Sequence, residues 1–234
     1  MKFPAVAARV VLSVDGKIVT RTKGAAWGSA APDREGLVKL RGGVDAILVG
    51  DGTLDAEDSP LRLSSARWRG ERVRAGKSAE PLRVIISDSG RIRKSLRVFR
   101  KGGGPVVVFT TGLIPASTKR WLEKVARLHV GARAKTVDLR RALLVLARDY
   151  GVRSVLCEGG ADVFRAMVEG GLLQTLHVSF APLILGGANA PTLLGPAGSA
   201  LLKRSIPLRL EGFSPRGGGA HAVYRMAAGS KLRH

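Results

Sequence analysis

The chain of 234 residues is 45% hydrophobic and has one cysteine, so it can build a substantial core but no internal disulfide or cysteine-based metal cluster. Its 39 basic and 18 acidic residues give a net charge of +21. No apolar run is long enough to span a bilayer, and the N-terminus leads into a strand pattern instead of a signal peptide. We therefore expect a single domain over residues 1–234, a cytoplasmic location, and neither membrane contact nor bound metal.

The excess of basic residues is concentrated in Arg62–Lys101, where 13 Lys and Arg stand against 3 Asp and Glu. A basic patch suits nucleic acid, but it also suits a phosphorylated substrate or a dinucleotide. Aromatic residues make up 5% of the chain and are hardly interleaved with this cluster, which is unlike the stacking surfaces that bind single-stranded nucleic acid. A solvated surface is therefore favoured over a nucleic-acid site.

The first third of the chain predicts a strand, a helix and a second strand. The apolar run Ala5–Val14 predicts an opening strand, and Asp15-Gly16 predicts a tight turn after it. Asp33–Arg41 has acidic residues in its first turn and basic ones in its last, which predicts a helix ending near Arg41. Val44–Val49 predicts a buried strand that ends in the glycine-bearing turn 50–53, where the backbone can approach a phosphate closely.

The middle of the chain begins with an aperiodic stretch, Leu54–Glu80, which predicts a surface loop with room for one short helix. Arg83–Ile86 and Pro105–Phe109 predict two more strands, and a short helix follows around Trp121–Val125. Apolar residues then recur at helical spacing from residue 139 to residue 150, and the glycine at 151 is well placed to end that helix.

Residues 154–164 predict a strand, a tight turn and a helix. The apolar strand ends at Glu158, and the two glycines after it can turn the chain without placing a side chain over the first helical amides. A phosphate could therefore lie against the N-terminus of this helix, with Glu158 facing the same crevice. A turn that needs glycine only for steric reasons is the alternative.

Leu176–Phe180 and Ala222–Met226 predict the last strands, and the apolar run Leu176–Leu185 is long enough to supply an edge or interface strand. Strands that alternate with helices predict an α/β fold with a mostly parallel sheet and helices on both faces. Ligands bind such sheets at the carboxyl ends of the strands, where both glycine turns fall. This agreement favours phosphate binding at the two turns.

The order of these motifs resembles the riboflavin-pathway pyrimidine reductases, that is, the C-terminal domain of the bifunctional riboflavin deaminase-reductase and its stand-alone relatives. The motifs that carry the resemblance are Ser13–Lys17, Trp27, Leu40-Arg41, Asp45–Thr53, Asp58–Leu61, Pro81–Ile86, Phe109–Thr111, Glu158–Gly160 and Pro182–Gly187. It implies a dihydrofolate-reductase-like three-layer fold, a homodimer, and NADPH-dependent conversion of the ribosyl group of a 5′-phosphorylated ribosylamino-pyrimidine to ribityl. The zinc signature of the deaminase half needs several cysteines, so that activity is not expected.

The resemblance also implies which residues form the site. Cofactor contacts are expected from Val11, Trp27, Gly50, Gly52, Thr53, Asp58, Ser87, Gly159, Gly160, Ala161, Asp162, Val163 and Phe164. Substrate contacts are expected from Lys17, Arg41, Leu61, Arg62 and Glu158, and the catalytic candidates are Glu158 and Asp15. Two departures from the family pattern stand out: Ala25 replaces a substrate-binding serine, and an extra residue near Asp58 makes Glu57 a rival for its role.

Each candidate also has a structural alternative. Trp27 could cap the core, Arg41 could simply complement the negative end of its helix, and Asp15 could be a turn residue. Two other functions stay open at this point, a pterin reductase of the same fold and a basic nucleic-acid-binding protein. The basic residues around Arg41 favour a phosphate-bearing substrate over a pterin.

Overall fold

The computed structural model describes residues 3–18, 31–187, 189–195 and 206–227. Seven helices and nine strands lie in these ranges. The strands are β1 (Ala5–Ser13), β2 (Ala46–Gly50), β3 (Leu82–Ser87), β4 (Val106–Thr110), β5 (Arg127–Val130), β6 (Ser154–Cys157), β7 (Thr175–Ala181), β8 (Leu208–Arg216) and β9 (Gly219–Met226). The helices are α1 (Ala31–Gly43), α2 (Asp51–Glu57), α3 (Ala66–Arg74), α4 (Arg97–Arg100), α5 (Ala116–Val125), α6 (Leu139–Tyr150) and α7 (Ala161–Glu169).

The chain divides into two compact units. The first holds Leu37–Leu156 together with Phe3 and Pro4, and the second holds the described parts of Ala5–Gly36 and Cys157–His234. No helix in the described ranges is both long enough and apolar enough to cross a membrane.

The first unit is built on strands in the order β5-β4-β3-β2-β6. The pairs β2–β3, β3–β4 and β4–β5 are parallel, with Gly50 opposite Ile86 and Ser87 opposite Thr110. Parallel pairing brings the carboxyl ends of these strands to one edge of the sheet. The glycine-bearing turn after β2 and the polar residues that end β3 and β4 therefore lie at that same edge.

Both faces of the inner strands are buried, because consecutive residues of β2, β3 and β4, apart from the half-buried Leu82, all lie below the surface. Buried runs of β-branched residues are typical of parallel sheets that are covered on both faces. One face belongs to an apolar cluster made of Ile47, Val49, Leu54, Leu61, Ile85, Ile92, Leu96, Val98, Val106, Val108 and Leu122. Each of these side chains contributes about 1.5–3 kcal/mol through burial.

The second unit carries strands in the order β1-β7-β9-β8, with β1–β7 parallel and the two pairs that involve β9 antiparallel. Because β7 is hydrogen-bonded on both sides, the prediction of an edge or interface strand over Leu176–Leu185 is wrong. The regular strand ends at Ala181. The edge strand among these four is β8, whose Leu210 and Phe213 are 54% and 64% exposed.

The prediction of a loop with room for one short helix over Leu54–Glu80 is correct for α3, which forms at Ala66–Arg74, but it missed α2, which follows β2 without a break and extends to Glu57. The buried face of α3 is not aliphatic. Arg72 is 2% exposed and donates to the carbonyls of Ser78 and Gly42 at 2.8 and 3.2 Å. A helix that buries an arginine gives no apolar period, so its sequence is easily taken for a loop. Strands β5 and β8 were also missed, since they are short or exposed.

Other local predictions are confirmed. The turn after β1 has Gly16 at φ +75°, and the Ser13 amide donates to the Lys17 carbonyl at 2.9 Å. Helix α6 ends at Gly151 with φ +64°, in the left-handed conformation that glycine adopts without strain. The strand, turn and helix over residues 154–164 are present as β6 and α7.

Candidate functional site

The N-terminus of α7, in the second unit, is built to leave its first amides open. Gly159 has φ +117°, a conformation that favours glycine, and Gly160 occupies the N-cap position, where it forms no side-chain hydrogen bond. The helix is anchored by its buried face, namely Val163, Phe164, Met167 and Val168. Asp162, in the first turn, is paired with Arg165 at 2.5 Å. Uncapped amides at the positive end of a fixed helix are suited to binding an anion.

Glu158 lies between the end of β6 and this turn, and it is half-buried. The residue before it, Cys157, is fully buried, and burial raises the pKa of its thiol to about 12. The thiol therefore stays protonated and is not a nucleophile. The ionisable side chain that this turn offers to a ligand is the carboxylate of Glu158.

Asp15, also in the second unit, holds a turn together. Its carboxylate accepts hydrogen bonds from the Ser13 hydroxyl at 2.6 Å and from the amides of Leu185 and Gly186 at 3.1 and 2.8 Å. These hydrogen bonds lower the pKa of Asp15 to about 2, and the bond from Ser13 has the largest effect. The group is therefore ionised at neutral pH and cannot donate a proton. It fixes the turn that carries Lys17.

The carboxyl ends of β2, β3 and β4, in the first unit, form a polar cluster. The buried Ser87 hydroxyl donates a short hydrogen bond to the Asp51 carboxylate and accepts one from the Gly90 amide at 3.0 Å. Burial raises the pKa of Asp51, although Ser87 opposes the shift. Opposite Ser87, the buried Thr110 hydroxyl has no hydrogen-bond partner among the described residues. An unsatisfied buried hydroxyl at a sheet edge is a group that a ligand can satisfy.

The glycine turn after β2 differs from the one at α7. Asp51 is already the first helical residue, and Gly52 lies inside α2, where an added Cβ would meet nothing within 4 Å. Thr53 is half-buried on the same helix. Both helices carry a carboxylate in the first turn, but Asp162 of α7 is paired with Arg165, whereas Asp51 of α2 is bonded to the neutral Ser87 hydroxyl. The N-terminus of α2 therefore attracts an anion less than the α7 terminus does.

Three predicted residues of the first unit meet around one short segment. Arg41, at the end of α1, is 9% exposed and donates from Nη1 to the Arg62 carbonyl at 3.2 Å. Leu61 is 1% exposed and has φ +48°. Arg62 itself is exposed and donates to the Lys101 carbonyl at 3.3 Å. Arg41, Leu61 and Arg62 are therefore brought together, as a shared ligand would require.

Asp58 ends α2 in the left-handed conformation, with φ +46°. Its carboxylate accepts a hydrogen bond from the Arg97 amide at the start of α4, at 2.7 Å. This bond fixes the loop after α2 and leaves lone pairs of the carboxylate for a ligand. Its rival, Glu57, is the last residue of α2.

The structure gives the positions of two further predicted residues, Val11 and Lys17. Val11 lies half-buried on β1, opposite Ser179 of β7. Lys17 donates its amide to the Ser13 hydroxyl at 2.9 Å. Trp27 and Ala25 lie outside the described residues. Within the described ranges, no group of three or more His, Cys, Asp or Glu side chains is arranged to hold a metal ion.

A cavity of about 400 Å³ also opens in the first unit, along α6 and the ends of β4 and β5. Its lining includes Phe109, Thr110, His129, Val137 and Arg141, so it reaches the polar edge at Thr110 but contains none of the site residues predicted from the sequence. His129 stacks on Phe109 at a ring-centroid distance of 4.8 Å and meets the Tyr150 hydroxyl at 2.7 Å. Burial lowers the pKa of His129, whose ring packs against Phe109 and Tyr150.

Sequence reasoning missed Asp51 and Thr110 as members of the polar edge. A signal was available for each, because both are polar residues at the boundary of a buried strand, Asp51 directly after β2 and Thr110 as the last residue of β4. What the sequence could not reveal is the parallel register that places Thr110 opposite Ser87.

The first unit has parallel strands that end next to hydroxyl and carboxylate groups, and the second has a glycine turn before an uncapped helix. Both features are typical of α/β proteins that bind ligands at the carboxyl ends of their strands. The comparison with protein families is more specific. The chain belongs to the RibD C-terminal domain family, whose model matches residues 4–221.

Several relatives are similar over most of this chain. The 2,5-diamino-6-ribosylamino-4(3H)-pyrimidinone 5′-phosphate reductase of Archaeoglobus fulgidus is 30% identical over 86% of this chain and 90% of its own length. The protein of the same name from Methanothermobacter thermautotrophicus is 31% identical over 89% and 91%. The riboflavin biosynthesis protein RibD of Bacillus amyloliquefaciens is 29% identical, and the chain spans about half of it, 52%.

Among solved structures, a pyrimidine reductase-like protein from Corynebacterium diphtheriae superimposes with a TM-score of 0.81. The superposition covers 96% of this chain and 92% of that chain at 23% identity. It shows that the two proteins share their fold. The predicted α/β fold of the pyrimidine reductases, with its mostly parallel strands, is therefore confirmed.

Proposed function

We propose that this protein is an NADPH-dependent reductase of riboflavin biosynthesis. It converts the ribosyl group of a 5′-phosphorylated ribosylamino-pyrimidine to a ribityl group, in the cytoplasm, with residues 1–234 acting as one reductase domain. The observation that carries the proposal is the match, over about nine-tenths of both lengths, to archaeal proteins named as reductases of this pyrimidine phosphate. The bifunctional RibD relatives are longer, and their other activities are not part of the proposal.

The cofactor proposal is supported by the open end of α7. In the second unit, the amides of Gly160–Val163 present partial positive charge without a capping side chain, which suits the pyrophosphate of a dinucleotide. The nicotinamide of the bound cofactor would supply the hydride. Val11, Gly159 and the first turn of α7 to Phe164 are the proposed contacts in this unit, with Trp27 as a further one.

In the first unit, Gly50, Gly52, Thr53, Asp58 and Ser87 are the proposed cofactor contacts. The Ser87 hydroxyl is already engaged with Asp51 and Gly90, so its part is to hold Asp51 and the end of β3 in place. The unpartnered Thr110 hydroxyl opposite it offers a donor and an acceptor to a ribose or an amide group. The chemistry of this edge therefore fits a polar, hydroxyl-bearing ligand.

The substrate proposal is supported by the arginines at the end of α1 and after α2. A phosphate needs cationic donors. Arg41 contacts the backbone of Arg62, and the exposed Arg62 side chain supplies a second guanidinium next to it in the chain fold. Leu61, whose side chain is packed in the apolar cluster, would contribute through its backbone. Lys17, on the turn fixed by Asp15, is the proposed cation of the second unit.

Glu158 is the proposed catalytic carboxylate. Ring opening and reduction build positive charge at the carbon–nitrogen centre of the substrate, and a nearby carboxylate stabilises that charge. The same group can accept hydrogen bonds from amino or hydroxyl groups of the substrate. Asp15, already ionised and bonded to three donors, would add negative charge and hold the turn, without transferring a proton.

Fluorescence titration with NADPH and with NADH tests the cofactor and the class of reaction together. We expect saturable binding of NADPH, tighter than that of NADH, and oxidation of NADPH only after the pyrimidine phosphate is added. The absence of NADPH binding would refute the proposed function. Equal binding of the two cofactors would leave a reductase but refute the NADPH preference.

A further inference from the structure

The segment Pro60–Leu63, which carries two of the proposed substrate contacts, is gripped by side chains from elsewhere in the first unit. The principal one is Arg83 on β3, which is 6% exposed. Its Nη1 atom lies 3.2 Å from the carbonyl oxygen of Pro60. The same Nη1 atom lies 2.6 and 2.9 Å from the carbonyl oxygens of Val98 and Gly102, so three carbonyls share its two N–H groups, and Nε donates to the Gly104 carbonyl at 2.6 Å.

Burying this charged arginine costs free energy, because its guanidinium loses contact with water. Burial lowers the pKa of Arg83, and the nearby Glu80 opposes that shift. Four carbonyl oxygens provide the compensation, which is the arrangement that a buried guanidinium requires. A planar fork with five N–H groups can reach several carbonyls at once, whereas an ammonium group is a single point of charge. The site is therefore specific for arginine.

Glu80 holds the other end of Pro60–Leu63, at Leu63. Its Oε2 atom accepts a hydrogen bond from the Leu63 amide at 2.9 Å, and its Oε1 atom lies 3.5 Å from Arg69. Arg69 in turn donates to the Leu63 carbonyl at 2.7 Å. Pro60 and Leu63 are thus fixed from both sides, and Leu61 is held between them at φ +48°. A non-glycine residue with positive φ persists only where its surroundings determine it.

We propose that Arg83 is a positioning residue for the reductase reaction: by holding the Pro60 carbonyl, it fixes Leu61 and Arg62 in the geometry that receives the phosphorylated substrate. The inference rests on the proposed function, since that function assigns the substrate to Leu61 and Arg62. Arg83 does not touch the substrate. Arg83 also supports the chain around Val98–Gly104, but its effect on the reaction comes through the Pro60 carbonyl, because the short segment that begins there carries two proposed ligand contacts.

Arg83→Lys is the test variant, because lysine keeps the positive charge and most of the side-chain length but lacks the planar guanidinium group. Asp45→Asn is the matched control. Asp45 also secures main chain at a strand end, accepting from the amides of Arg153 and Ser154 at 2.9 and 3.0 Å, and it pairs with Lys77 at 2.8 Å. Among the described residues, the Asp45 side chain bonds to Lys77, Arg153 and Ser154 and not to Pro60–Leu63. Both variants lose buried polar anchoring, so both should unfold at lower denaturant concentration than the wild type.

We expect Arg83→Lys to raise KM for the pyrimidine phosphate at least about 10-fold while the Kd for NADPH stays within about 3-fold of wild type. Asp45→Asn should leave both constants within about 3-fold. If Arg83→Lys loses stability to the same degree as the control and keeps its KM, the proposal is wrong and Arg83 is structural only. A parallel loss of substrate and cofactor binding would also overturn it.

Hydrogen exchange of the peptide containing Leu61 and Leu63 provides a readout that does not depend on activity. In Arg83→Lys this peptide should exchange at least about 10-fold faster than in the wild type, while the peptides of β4 and α6 stay protected. Unchanged exchange of the segment would refute the positioning role even if no reductase activity were found. Faster local exchange in a protein that does not bind NADPH would support the role of Arg83 in holding Pro60–Leu63 and would refute the proposed function instead.

Discussion

The Ser87 hydroxyl donates a hydrogen bond to the carboxylate of Asp51 and ties the carboxyl end of β3 to the first residue of α2. Ser87 is fully buried and Asp51 is half-buried, so this interaction is partly shielded from water. The same hydroxyl accepts a hydrogen bond from the Gly90 amide. One small side chain therefore holds three parts of the polar edge in the first unit.

Replacing Ser87 with alanine should cost about 1–3 kcal/mol of unfolding free energy at neutral pH, because it leaves buried polar groups without a partner. Since burial raises the pKa of Asp51, protonation of Asp51 favours the folded state, and the loss should shrink as the pH falls toward about 4. Urea denaturation over a pH series measures both effects. Ser89→Ala, at an exposed serine, is the control and should change stability by less than about 0.5 kcal/mol. A pH-independent loss in Ser87→Ala would contradict this account.

Arg41 has two possible roles, which are to bind the substrate phosphate or only to complement the negative end of α1. A substitution can distinguish them, because a cation at the end of α1 complements the helix dipole whether or not it binds phosphate. Arg41→Lys keeps the charge but loses the fork, so it should retain most of the stability and still raise KM for the pyrimidine phosphate about 10-fold or more. Steady-state kinetics and thermal denaturation give the two quantities. Arg74→Lys, at an exposed arginine paired with Glu71, is the control and should change neither. An unchanged KM in Arg41→Lys would show that the Arg41 guanidinium does not bind the substrate and that Arg41 only complements the end of α1.

His177 gives the second unit a pH dependence. Burial, with smaller contributions from His221 and Arg9, lowers the pKa of His177 to about 4 from 6.5. The unfolded chain then takes up the proton first, so the stability present above pH 6.5 is lost as the pH falls from 6.5 toward 4. The full shift corresponds to roughly 3 kcal/mol, and partial solvation reduces the expected loss to about 1–2 kcal/mol.

His177→Gln should remove most of that slope, which denaturation at several pH values would detect. The variant has no titrating ring at this position, so its stability should stay nearly level across the same range. A slope equal to that of the wild type would show that other groups cause the acid sensitivity.

We expect a twofold homodimer that uses β8 in place of β7, because β8 is the edge strand of its unit and exposes Leu210 and Phe213. Unpaired edges with exposed apolar side chains favour association with another chain. Light scattering at micromolar concentration should give twice the monomer mass, and Phe213→Glu should give the monomer. Leu113→Glu, at a residue 44% exposed in the first unit, should leave the dimer intact. A monomeric wild-type protein would contradict the expectation.

The sequence predicted the elements whose signals are local. The turn at Gly16, the cap at Gly151 and the glycine pair before α7 each follow from the φ value that glycine allows, and the buried strands follow from their β-branched runs. What it could not predict depends on contacts between distant residues. The burial of Arg72 and Arg83 depends on carbonyl groups up to about 30 residues away, and arginine gives no apolar period.

The candidate site was predictable to a similar extent. The residues near Glu158 and Arg41 could be named from motifs, because motif order is a property of the sequence. The pairing of Thr110 with Ser87 could not, because register is set by the packed sheet. The role of β7 was misjudged for the same reason: an apolar strand looks alike at an edge and in the interior, and only its neighbours distinguish the two positions.

The most direct test of the central claim is the rate at which NADPH is oxidised in the presence of the pyrimidine phosphate, in the wild type and in Glu158→Gln. Glutamine keeps the shape of the side chain and removes its charge. If Glu158 stabilises positive charge at the reacting carbon–nitrogen centre, the variant should bind NADPH within about 3-fold of wild type and lose about 100-fold or more in kcat/KM for the pyrimidine phosphate. A variant that loses NADPH affinity but keeps its turnover at saturating NADPH would contradict this claim and assign Glu158 to the cofactor.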